Sequence, residues 1–311
     1  MDPLLRDALD RAPRDAPPIE QVATEHRLAI PGGSIRLLHA RPTHPVACRP
    51  VVMVPGFGVL PPGWHDWWAV LHGRAEVFYI ETREKPTSAL EPGADLSMEA
   101  LVHDVAAGLE YFGLRGADVV LQGTSWGSST ILAGLASGAV SAETVLAWNI
   151  VPHLHFSRWA LRHITPWLPF WVFGVTRDLI SSVVFAGMEP AQRARLESFV
   201  KTADWRWKAA AEAQVDFELG ELAPQIAQEV LVVVGVDEKV HSAEVSAELA
   251  ALMPRGRLLT PAVSPAVNTR VGGIFALELA QVAAGAPLPA MLQAVEQPLT
   301  AQRARTPTPP A

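Results

Sequence analysis

At 311 residues the chain is long enough to bury a substantial core. Hydrophobic residues at 49% against charged ones at 18% make it globular rather than disordered. A formal net charge of -7 argues against a surface of clustered Lys and Arg that displaces counterions from nucleic acid, so no nucleic-acid partner is expected. The single cysteine, Cys48, excludes an internal disulfide and is expected to be a buried or half-buried small residue in a reducing compartment.

Residues 1–20 mix Asp, Arg and Pro without a basic start leading into an apolar run. They are expected to be a flexible leader and not a secretory signal, which makes the cytoplasm the expected location. Two strand-like runs at 27–30 and 34–40 flank Gly32-Gly33, a dipeptide suited to a tight hairpin. Aliphatic and β-branched runs follow at 51–54, 76–80, 118–122, 144–148, 230–234 and 257–259, separated by helical patterns. In the segment 97–112, for example, Leu101, Val105, Leu109 and Phe112 recur at helical spacing. Strands alternating with helices predict an α/β fold around an eight-stranded, mostly parallel sheet.

The alternation stops between 151 and 224, where helix-like pieces carry Trp159, Trp167, Trp171, Trp205 and Trp207. This stretch is expected to be a helical cap inserted into a core made of 21–150 and 225–296. Its most apolar part, 159–185, is broken by Arg162, His163, Pro166, Pro169, Arg177 and Asp178, which argues against a transmembrane span. Residues 297–311, with Pro298, Pro307, Pro309 and Pro310, are expected to be a flexible tail.

Directly after the strand run 118–122 comes Gly123-Thr124-Ser125-Trp126-Gly127, and a helical run follows. A serine in this strand-turn-helix setting occupies a strained turn, and glycines two residues to either side let strand and helix approach until the hydroxyl is exposed. Ser125 is therefore the expected nucleophile; an ordinary loop with a helix-capping serine is the plainer alternative. Acyl transfer also needs amides where an oxyanion forms. Pro55-Gly56-Phe57-Gly58 ends the run 51–54, which should lie beside the serine strand, so the amides of Phe57 and Trp126 are the expected oxyanion hole.

With these pieces in this order, the sequence from about 27 to 296 resembles the α/β-hydrolase superfamily. Pro55-Gly56-Phe57 is similar to that family's His-Gly-x turn, with Pro55 in place of the histidine. The segment Glu81-Thr82-Arg83-Glu84-Lys85-Pro86-Thr87-Ser88 is similar to its Asp-x-Arg-Gly-x-Gly-x-Ser segment, but lacks both glycines. The resemblance implies an acid after the run 230–234, where Gly235-Val236-Asp237-Glu238-Lys239-Val240 offers Glu238 by register and Asp237 one residue earlier. It also implies a histidine where Gly272-Gly273-Ile274-Phe275-Ala276-Leu277-Glu278 places Gly273. No histidine follows His241, which makes His241 the best-placed substitute base. His65, His103, His153 and His155 are the other imidazoles weighed for that role.

Two readings follow. One is a serine hydrolase, esterase- or lipase-like or an acyltransferase, acting on a small apolar acyl substrate with an atypical or incomplete triad. The other is a non-catalytic protein of this fold that binds an apolar ligand or partner. No Gly-x-Gly-x-x-Gly or Gly-Lys-Ser/Thr phosphate loop is present, and His153-x-His155 lacks accompanying carboxylates, so neither cofactor nor metal is expected.

Overall fold

The structure is a computed structural model that describes residues 1–115, 118–154, 157–167, 172, 204–235 and 242–299. Its centre is a ten-stranded sheet in the order β1-β2-β4-β3-β6-β7-β8-β9-β10, with β5 paired to β2. The strands are β1 (Thr24–Ile30), β2 (Gly33–Ala40), β3 (Val51–Val54), β4 (Val77–Ile80), β5 (Ala89–Leu90), β6 (Val120–Thr124), β7 (Thr144–Trp148), β8 (Glu229–Val233), β9 (Gly256–Leu259) and β10 (Glu296–Gln297). The run from β4 through β9 is parallel, and β1, β2 and β10 pair antiparallel at the edges. The mostly parallel sheet is as expected, but the count of eight is too low. The extra strands β5 and β10 are two residues each, too short to leave a periodic signal.

The hairpin turn sits one residue earlier than Gly32-Gly33 suggests. Ile30 pairs with Gly33, so Pro31 and Gly32 form the loop, and Gly32 has φ 82°.

Helices α1 (Pro3–Arg11), α2 (Ile19–Val22), α3 (His65–Leu71), α4 (Met98–Tyr111), α5 (Trp126–Ser137), α6 (Arg158–His163), α7 (Trp205–Ala213), α8 (Leu219–Leu222), α9 (Ala243–Leu252), α10 (Asn268–Ala280) and α11 (Ala290–Ala294) complete the described elements. Side chains alternate across each strand, which gives the sheet two apolar faces. Val51, Met53, Val120, Leu146 and Val233 pack with α1, α3 and α10 on one side. Val52, Val54, Leu121, Val145 and Val232 pack with α4, α5 and α9 on the other. The α4 helix begins on Ser97, whose hydroxyl accepts from Ala100 N, and ends at Phe112, the bounds read from its periodicity.

The expectation of a flexible leader is corrected. Asp2 caps α1 by accepting from Leu4 and Leu5 amides, and Leu5 and Leu9 are buried in the core shared with α10. The polar composition of 1–20 hid this because only one narrow stripe of α1 is apolar. In the region expected to form a cap, α6 and α7 meet through Leu161 and Ala211, joined by Val215 just past the end of α7. Trp171 and the rest of 168–203 except 172 lie outside the described residues, as do 300–311 of the expected tail. Among the described residues no helix is long and apolar enough to cross a membrane, and no cluster of His, Cys, Asp and Glu is arranged to hold a metal ion. Cys48 is half-buried, and burial pushes its thiol pKa up.

Candidate active site

Ser125 stands between β6 and α5 with φ 50° and ψ −122°, a region that L-residues avoid. Its amide donates to Trp148 O at 2.8 Å, which ties the turn to the end of β7. The flanking glycines are required sterically. A Cβ on Gly123 would lie 2.5 Å from Ser128 Cα, and one on Gly127 would lie 2.3 Å from Val54 O and 2.5 Å from Pro55 O. The sequence motif therefore reports a three-way backbone approach of β3, β6 and α5. Ser125 is at the N-cap position of α5, but its side chain does not cap that helix, unlike the hydroxyl of an ordinary helix-starting serine. The hydroxyls that follow are used structurally: Ser128 Oγ donates to Trp148 O at 3.1 Å and Ser129 Oγ to Val151 O at 2.6 Å.

The turn 55–58 is drawn against Ser125 by a hydrogen bond from Gly56 N to Thr124 Oγ1 at 3.0 Å. A Cβ on Gly56 would lie 3.1 Å from Ser125 Cβ and 3.8 Å from its Oγ, so only a glycine backbone borders the hydroxyl there. The amides of Phe57 and Trp126 have no acceptor among the described residues. The two amides picked out in the sequence thus lie on the two segments flanking Ser125. Trp126 is also the first residue of α5, where the partial positive charge of a helix N-terminus is concentrated.

Helix α7 covers this turn. Gly58 has φ 64°, and a Cβ there would overlap the Trp207 indole at 2.1 Å. The Phe57 and Trp207 rings meet edge to face at 5.4 Å. Arg206 Nη2 donates to Ser88 O at 2.8 Å. The Trp126 indole donates to Gln214 Oε1, and Gln214 Nε2 donates to Leu96 O at 2.6 Å. In the sequence Trp207 is one of five tryptophans of the expected cap, with nothing to pair it with Gly58, and Gln214 carries no signal at all.

The segment after β4 is charged yet buried. Arg36 grips Glu81 through two bonds of 2.9 and 2.7 Å, and Arg83 grips Asp104 of α4 through bonds as short as 2.6 Å. Ser88 Oγ lies 2.5 Å from Arg83 O and 2.7 Å from Lys85 O and shares its one proton between them, closing the segment into a compact loop despite its missing glycines. Burial pushes the Asp104 carboxyl up, against the opposing pull of the Arg83 guanidinium. Lys85 and Glu84 pair beneath the turn 55–58, with side chains 0% and 1% exposed.

Asp237, Glu238 and His241 lie outside the described residues, as does His155. In the sequence they lie between Gly235, just past β8, and Ser242, the N-cap of α9. Asn268 at the start of α10 packs against Gly235, with its Nδ2 3.7 Å from where a Gly235 Cβ would be. The remaining weighed histidines are placed as follows. His65 Nε2 is 3.0 Å from Asp15, His103 is exposed on α4, and His153 Nδ1 is 3.3 Å from Glu218. Gly273 lies inside α10, where a Cβ would come 2.7 Å from Trp67 O and 3.0 Å from Val70 Cβ. Its described role is thus to let α10 close on α3, a reason for glycine independent of any histidine.

No protein-family model matches the sequence, and no curated protein matches it either. Solved structures do. A hydrolase from Pseudomonas aeruginosa PA01 is 19% identical with a TM-score of 0.60, covering 82% of this chain and 98% of its own. An enol-lactonase from Burkholderia xenovorans LB400 is 20% identical with a TM-score of 0.63, over 81% and 96% of the two chains. A thermophilic esterase from Thermogutta terrifontis is 20% identical with a TM-score of 0.60, over 77% and 90%. With its parallel run from β4 to β9 and the strained turn after β6, the chain has the α/β-hydrolase fold.

Proposed function

We propose that the protein hydrolyses an ester or other acyl bond of a small apolar substrate, with Ser125 as nucleophile and the amides of Phe57 and Trp126 as oxyanion donors. The observation that carries the reading is the Ser125 backbone, φ 50° and ψ −122°, held by two glycines that tolerate no side chain and set beside a glycine turn with an unused amide. Strain of this kind costs about 1–3 kcal/mol and persists where the surrounding structure enforces it. The Phe57 and Trp207 rings over the turn favour an apolar acyl or alcohol group. The structural neighbours named as an esterase and an enol-lactonase lend support, since both names denote cleavage of ester-type bonds. In this reading either Glu238 or Asp237 is the acid, His241 is the substitute base, and the protein works in the cytoplasm without a cofactor.

A serine without a well-placed base is a poor nucleophile, so turnover of generic short esters should be weak at most. A series of activated p-nitrophenyl esters tested with the parent, Ser125→Ala and His241→Ala decides this. Weak turnover abolished by Ser125→Ala supports the assignment, and turnover untouched by that substitution refutes it. Vigorous turnover lost in both variants would instead reveal a complete, rearranged triad.

The second reading, a non-catalytic binder of an apolar ligand, is favoured by the loop after β9. Residues 260–267 contain no histidine. An inert parent that still binds an apolar fluorophore, with binding weakened by Trp207→Ala, would select it.

A further inference from the structure

We infer that Lys85 is a positioning residue that clamps the Pro55-Gly56 peptide so that the Phe57 amide faces Ser125. The proposal rests on the hydrolase reading for its chemistry and on the turn geometry for its structure. An ammonium carries three protons, and Lys85 Nζ has three acceptors: Glu84 Oε1, Thr82 Oγ1 at 2.9 Å and Pro55 O at 3.4 Å. The same Pro55 carbonyl is wedged against α5, since it is 2.5 Å from where a Gly127 Cβ would be. On the other side of that peptide, Gly56 N donates to Thr124 Oγ1 at 3.0 Å. One peptide plane is thus held at its oxygen by Lys85 and at its nitrogen by Thr124, and the next plane, which carries the Phe57 amide, is held at its Gly56 oxygen by Val59 N at 3.1 Å.

A second observation separates this role from simple stabilisation. The pair is fully buried, yet Glu84 Oε2 has no partner among the described residues. A buried ion pair repays its desolvation only when its lone pairs and protons are satisfied, and a well-packed apolar pair often does as well. Lys85–Glu84 is therefore a poor stabiliser in a position where a fixed ammonium points at the carbonyl of the catalytic turn. The ammonium also polarises the Pro55-Gly56 peptide, which strengthens the donation of Gly56 N to Thr124 Oγ1.

The test compares the parent with Lys85→Met and with the neutral pair Glu84→Gln/Lys85→Met, which keeps packing while removing both charges. Two readouts are taken: amide hydrogen exchange at Gly56 and Val59 by NMR, and kcat and KM on an activated ester. The expected result, in the pair variant even if Lys85→Met folds poorly, is exchange at Gly56 and Val59 at least about tenfold faster with β3 and β6 unchanged. Alongside it, kcat should fall about 10- to 100-fold and KM stay within about twofold, as loss of a transition-state contact requires. Unchanged exchange overturns the clamp, and faster exchange with unchanged kcat overturns its link to the chemistry. Absence of any Ser125-dependent turnover in the parent defeats the hydrolase reading instead, and the exchange rates then decide the clamp alone.

Discussion

Gly56 N donates to Thr124 Oγ1 at 3.0 Å, so the residue just before Ser125 holds the turn that borders its hydroxyl. Both groups are buried, and neither has water to fall back on. Thr124→Val keeps the shape and removes the acceptor, leaving the Gly56 amide unsatisfied at a cost of about 1–3 kcal/mol. Urea denaturation should show that loss, whereas Thr124→Ser should stay near the parent. Equal stability of all three proteins would mean the bond contributes nothing.

The strain at Ser125 is measurable apart from activity. Glycine adopts φ 50° without penalty and alanine does not, so Ser125→Gly recovers about 1–3 kcal/mol of strain while costing about 0.5–1 kcal/mol in unfolded-chain entropy. The strain term is the larger. Ser125→Gly is expected to be more stable than Ser125→Ala by about 1 kcal/mol in chemical denaturation, and the reverse order would mean the turn is relaxed.

Gly273 offers a test of where a base can be supplied. Alanine gains about 1 kcal/mol in helix propensity over glycine, but its Cβ would meet Trp67 O at 2.7 Å, and overpacking of this kind costs about 1–3 kcal/mol. The clash wins because backbone cannot swing aside. Gly273→Ala should lower the melting temperature, and Gly273→His should lower it further without raising ester turnover. A gain in turnover in Gly273→His would show that an imidazole on α10 reaches the serine after all.

Acid should loosen the sheet edge at β10. Arg257 on β9 holds Glu296 at 2.7 Å and Glu229 at 3.0 Å, and the Arg257 hydrogen bond keeps the Glu296 carboxyl below the ordinary glutamate value of 4.5. As pH falls, the unfolded chain takes up that proton before the folded one does. The contribution is therefore whole above about pH 4.5 and fades as pH drops through the lower folded value. The pair is partly exposed, so the effect stays below about 1 kcal/mol. Stability of the parent and Glu296→Gln measured from pH 6 to pH 3 should converge at the acid end; a constant gap would refute the linkage.

Much of the core was legible because continuous runs of aliphatic and β-branched residues are local signals. The strands 51–54 and 144–148 and the helix capped by Ser97 fall where the sequence puts them. The β6 strand runs two residues beyond the expected 118–122, taking in Gly123 and Thr124 of the motif itself, because ladder pairing with Val54 and Trp148 extends it. Helix α1 escaped notice because its burial depends on α10, more than 250 residues away in sequence.

What the sequence determined by itself was the strained serine, because glycines on either side of a serine between strand and helix encode a steric demand within five residues. Tertiary structure alone decided what surrounds it. Trp207 over Gly58, Gln214 on the Trp126 indole and Lys85 beneath Pro55 are contacts between segments far apart in the chain. Their residue types, a tryptophan among ten, a glutamine and one charge in a charged run, carry no periodicity that marks a partner. Even Gly273, read in sequence as a missing imidazole, acquires its physical reason only when α10 is laid against Trp67, because close packing of two helices is a property of neither alone.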